Sequence, residues 1–205
     1  MSIEKAKKTL RSLKKVHWDT AVRTYGSNHS TLIGLLVDWW ISLSAKHSVL
    51  EGGPTNGYSR KGARGQCDAL LCNGDNPIGV LEVEGTRHEF TVKKIGTFFK
   101  AKLPEFKTLS FGIVLFYAYW PVGSGQERTF SKAFDANAKE IVATVSKKHP
   151  KKAIIVISLD KKYQQKRKGV RRRTEYYKGQ VNKIYGSVFM NGKEILSLSL
   201  HNCQA

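Results

Sequence analysis

Three carboxylates stand together in a chain that has few of them. Asp68 lies on the apolar stretch Gln66–Cys72, and Glu82 and Glu84 lie on the stretch Ile78–Glu84, with the turn "NGDNP" between the two. Side chains alternate faces along a strand. Val80, Glu82 and Glu84 therefore share one face, and Leu81 and Val83 the other. On the first strand Cys67, Ala69 and Leu71 point away from the face of Asp68. The expectation is that the apolar residues enter a core while the three acids converge on the opposite surface. Like charges held that close raise one another's pKa, and a divalent cation removes the conflict. Carboxylate oxygens suit Mg²⁺ or Mn²⁺, usually alongside phosphate and water. A metal so held polarises a phosphoryl oxygen, lowers the pKa of an attacking water and stabilises the leaving oxygen. That chemistry is metal-assisted phosphodiester hydrolysis.

The surrounding charge has the opposite sign. The chain of 205 residues carries 35 Lys and Arg against 16 Asp and Glu, a formal charge of +19. Such an excess opposes compaction and favours a polyanionic partner, nucleic acid first. No apolar run reaches the length needed to span a bilayer; the longest, Leu32–Leu43, is broken by Asp38. The N-terminus is basic but lacks the apolar segment of a secretory signal, so the expected setting is intracellular, in the cytoplasm or with the nucleoid. Cys67, Cys72 and Cys203 have neither the number nor the spacing of a disulfide framework or a zinc site.

The elements that must position the acids can be read around them. Residues 1–26 form a basic, partly helical arm with a thin stripe of Ile3, Leu10, Leu13 and Val16. Residues 27–205 form one domain. Thr31–His47 has the helical spacing of a buried helix, with Asp38 in its middle. Gly52–Gly65 is a loop containing Arg60, Lys61 and Arg64. The acids then sit on an antiparallel hairpin with a five-residue connection. Glu89–Lys102 is a short helix, and Leu109–Trp120 a strand buried on both faces. An amphipathic helix ends at Pro150, and Lys152–Leu159 is another buried strand, giving a parallel βαβ unit. Lys161–Lys178 holds nine Lys or Arg and one acid, Glu175, and reads as a mobile basic loop over 161–180. Tyrosines interleaved with its cations suit a phosphate-rich strand with stackable bases. A C-terminal hairpin turns at Asn191-Gly192.

Asp68, a turn, and then "EVE" over residues 82–84 after an apolar run resembles the PD-(D/E)XK, or restriction-endonuclease-like, nuclease superfamily. The order of elements over about Thr31 to Leu159 is similar as well. The resemblance implies an α/β fold, with a central mixed sheet flanked by helices as an α/β/α core, here followed by the C-terminal hairpin. It implies Asp68 and Glu82 as Mg²⁺ or Mn²⁺ ligands. Glu84 falls where the family has lysine, and would serve as general base or second-metal ligand. A nearby cation would replace that lysine: Arg87, Lys93 or Lys94, of which Lys93 is preferred. The family often adds an acid from the first core helix, for which Asp38 is preferred over Glu51. The family's proline is absent, since Cys67 precedes Asp68. Arg60, Lys61, Arg64, Lys166, Arg167, Lys168, Arg171, Arg172, Arg173 and Tyr176 are the candidate nucleic-acid contacts. The expectation is a Mg²⁺-dependent DNA endonuclease of restriction, repair or junction type, acting on DNA ahead of RNA, without a membrane; cleavage of a duplex would suit a homodimer. Two alternatives stand beside it: a catalytically inactive nucleic-acid-binding protein on the same fold, and an RNA-binding accessory protein.

Overall fold

A computed structural model describes residues 1–19, 29–51, 67–84, 88–100, 104–117, 136–163 and 179–202. Its frame is one seven-stranded mixed sheet. The strands are β1 (His47–Glu51), β2 (Ala69–Asn73), β3 (Asn76–Glu84), β4 (Phe111–Tyr117), β5 (Ala153–Tyr163), β6 (Gly179–Met190) and β7 (Lys193–Asn202). They lie side by side in chain order. β3, β4 and β5 are mutually parallel, and every other neighbouring pair is antiparallel. The helices are α1 (Ile3–Ser12), α2 (His29–Ser42), α3 (His88–Lys100), α4 (Pro104–Lys107) and α5 (Ala136–Lys148).

Parallel neighbours need crossovers, and crossovers bring helices onto the faces of the sheet. α3 and α4 join β3 to β4, and α5 lies between β4 and β5. Val92, Ile95 and Phe98 of α3, Phe106 of α4 and Val142 and Val145 of α5 bury against Val80, Val114, Phe116 and Val156 of the sheet. The other face carries Leu81, Val83, Ile113, Leu115, Ile155 and Ile157, covered by Leu10 of α1 and by Leu32, Leu36, Trp39 and Trp40 of α2. The result is three layers, helix on sheet on helix. Each fully buried aliphatic or aromatic side chain contributes about 1.5–3 kcal/mol.

The expected mixed α/β sheet, its parallel βαβ unit and its C-terminal hairpin are present. The hairpin turns at Asn191 and Gly192, both with positive φ, 48° and 77°. Several details differ. β1 was not anticipated: His47 is not helical but opens an edge strand, its ring stacked on Trp40 at 3.8 Å. The β2–β3 connection is tighter than five residues, because Asn73 pairs with Asn76 around Gly74 at φ +60°. The basic run begins inside the sheet, since β5 continues to Tyr163 and β6 starts at Gly179; residues 164–178 lie outside the described residues. The basic N-terminal segment packs on the domain through its apolar stripe. Leu10, Leu13, Val16 and Trp18 are buried in the core, whereas Ile3 stays 48% exposed.

Candidate active site

The acids gather at the end of the sheet where β3 finishes. The backbone N–H of Asp68 donates to Leu81 O at 3.2 Å, placing Asp68 beside the last turn of β3. Its side chain turns inward, and Oδ2 accepts the Val83 N–H at 2.6 Å. His29, the first residue of α2, brings Nε2 to 3.3 Å from the same oxygen. A carboxylate that accepts a backbone N–H in this way is fixed in place before any ligand arrives.

Glu82 shares the face of Val80, as alternation requires, but that face is not a surface. It is covered by α3, and the Glu82 side chain is only 5% exposed. Lys94 of α3 reaches it from above, its Nζ donating to Oε2 at 2.7 Å. Among the described residues, Oε1 is buried with no hydrogen-bond partner. Burial pushes the Glu82 carboxyl up to about 8; Lys94 pulls it down, and Asp68 and Glu84 push it further up. Both other acids therefore lie close enough to act on Glu82. Glu84 is half-buried at the end of β3. Cys67 enters the α3-side cluster with Leu70 and Cys72 rather than the side of Ala69 and Leu71. Burial pushes its thiol up to about 12, so it is no nucleophile at neutral pH.

Two expected site residues are placed elsewhere. Asp38 is exposed on α2, nine residues and so about 13 Å along the helix from the end that meets Asp68. Glu51 ends β1 and pairs with Ala69, the neighbour of Asp68; its side chain lies outside the described residues. Lys93 is exposed, and the cation on Glu82 is Lys94. The sequence held a signal for this. Lys94 is three residues after Thr91 and four before Phe98, both buried, so it borders the inner stripe of α3. His29 was not anticipated, and only the packing of α2 across the sheet brings it to Asp68.

Arg60, Lys61, Arg64, Arg87, Lys166, Arg167, Lys168, Arg171, Arg172, Arg173 and Tyr176 lie outside the described residues. β1 ends, β5 ends and β6 begins at the acid end of the sheet. Among the described residues no three His, Cys, Asp or Glu side chains form a group that could hold a metal by themselves. Among the described residues, too, no helix is long and apolar enough to cross a membrane.

No protein-family model matches the chain, and neither a curated protein nor a solved structure matches it.

Proposed function

We propose that the protein is a metal-dependent DNA endonuclease of the PD-(D/E)XK kind, hydrolysing phosphodiester bonds at the Asp68–Glu82 end of the sheet. The observation that carries this reading is Glu82. A carboxylate 5% exposed, with one oxygen unpartnered, is costly to keep in a core unless a cation belongs beside it. Asp68 and Glu82 would hold Mg²⁺ or Mn²⁺. Two carboxylates suffice, because Mg²⁺ completes its shell with water and substrate phosphate. When bound, the ion supplies Lewis-acid polarisation of the phosphate and an acidified water. In this reading Lys94 would supply the positive charge that Glu84 cannot, and Glu84 would take the proton of the attacking water. Glu51, at the acid end of β1, would be the auxiliary acid in place of Asp38. Cutting both strands of a duplex needs two such sites, which a twofold pair of chains would provide.

The test is cleavage of supercoiled plasmid and of branched DNA with Mg²⁺ or Mn²⁺. Nicking that depends on metal, is lost in Asp68→Ala and Glu82→Ala, and drops by about 10²–10³-fold in Lys94→Met is the expected outcome. A second reading, an inactive nucleic-acid-binding protein, is favoured by one observation: Lys94 already neutralises Glu82 at 2.7 Å without a metal. Tight DNA binding without cleavage, unchanged by all three substitutions, would establish that reading instead.

A further inference from the structure

The opposite end of the sheet has the opposite charge. β3, β4 and β5 all start there, β2 and β6 end there, and β1 and β7 begin there. Lys46 stands immediately before β1, Lys107 ends α4 four residues before β4, Lys151 lies two residues before β5, and Lys193 opens β7; all four are exposed. The Met1 ammonium joins them, donating to Lys151 O at 2.8 Å. Among the described acids at this end, Asp75 occupies the β2–β3 turn, Glu4 is paired with Lys7, and Glu194, next to Lys193, is paired with Lys139.

Part of this charge has a local cause. Lys100, Lys107, Lys147 and Lys148 sit in the last turns of α3, α4 and α5, where cations answer the helix dipole. Lys152 donates to Phe99 O at 3.1 Å and lies over the Phe99 ring. Neither cause covers Lys46, Lys151 or Lys193, which lie at strand starts in water. They add to a positive surface potential that draws a polyanion.

The row runs from β1 to β7 across six strand spacings, or about 29 Å. That matches about eight base pairs of duplex at 3.4 Å each. The turn residues between the lysines are polar and small, Asn73, Gly74, Asn191 and Gly192 among them. They accept a phosphate track but offer nothing apolar to insert into a bilayer, which stable membrane binding also needs.

We propose that this end is a second nucleic-acid surface, contacting the phosphate backbone of a duplex without reading its sequence. One molecule then holds two duplexes, one at each end of the sheet. From the proposed nuclease the inference takes only that a duplex occupies the acid end.

The test is bridging, in EDTA so that nothing is cut. Duplex tethered to beads is loaded with the full-length protein, and retention of a second, labelled duplex is measured. Wild type is expected to retain it. The variant K46Q/K107Q/K151Q/K193Q is expected to lose retention at least tenfold, and to lower the salt slope of second-duplex binding by about 3 to 4. The corresponding four-arginine variant is expected to retain it, which separates charge from misfolding, and an unchanged Tm supports the same point. Equal retention by wild type and the glutamine variant would overturn the proposal. So would no retention by wild type, or binding through the same lysines to vesicles of phosphatidylcholine and phosphatidylserine in place of the second duplex. Bridging lost in the glutamine variant, from a protein that nicks no plasmid, would sink the nuclease reading and leave this one standing.

Discussion

Glu82 combines burial and charge in one side chain, and its titration exposes the balance. Its carboxyl is raised in the folded protein to about 8 from an ordinary value of 4.5. Between those values the folded state holds a proton that the unfolded state has released. Glu82 thus favours folding most at pH values below about 4.5, and that contribution fades as pH rises towards 8. The slope is at most about 1.4 kcal/mol per pH unit. Glu82→Gln removes it. The stability of the variant relative to wild type, from urea denaturation, is expected to rise from pH 5 to pH 8; parallel curves would show that Glu82 ionises normally. At this scale the sequence was informative where strand alternation applied. The face that Glu82 shares with Val80 was legible from the period of two, but not that α3 covers it; Asp68 stands just before β2, where Cys67 already breaks the alternation. Lys94 and His29 were not read correctly or at all, because they reach the acids from helices whose rotation and docking depend on contacts far along the chain.

At the scale of elements, α3 sets the position of Lys94, and a glycine sets the position of α3. A Cβ at Gly112 of β4 would come within 2.7 Å of Ile95 Cγ2, the residue after Lys94. Gly112→Ala is expected to destabilise the fold by about 1–3 kcal/mol through overpacking. Because the strain falls on the residue beside Lys94, cleavage by the folded fraction should fall as well. A thermal melt paired with a nicking assay checks both, and full activity at an unchanged Tm would mean that α3 has room to spare. The edge strands show a different constraint. β7 carries extra residues relative to β6 near Ile195 and Leu200, two register shifts that interrupt a flat edge. Bulges of this kind blunt edge-to-edge pairing. Any homodimer would therefore use another surface. β1 escaped the sequence reading for a related reason: at five residues, "HSVLE", an edge strand shows too little alternation to be told from the end of a helix.

At the scale of the whole molecule, the layered α/β architecture was legible from the succession of apolar runs and amphipathic helices. The closure of its two ends was not. Strand order follows chain order, so each new strand can pair with the one made just before it and never has to insert between two already placed. The first helix breaks that sequence. Leu10 of α1 lies where a Cβ on Gly186 of β6 would be, at 2.5 Å, and Leu13, Val16 and Leu200 share its cluster. α1 must then wait for strands far later in the chain before it can bury its apolar side. α1, β6 and β7 should consequently form one cooperative unit, opening and closing together while β2 to β5 stay shut. Native-state hydrogen exchange would report it as a shared opening free energy for the amides of α1 and the β6–β7 hairpin, lower than that of β4. Protection of α1 that tracks α2 instead would show that the chain closes its fold in another order.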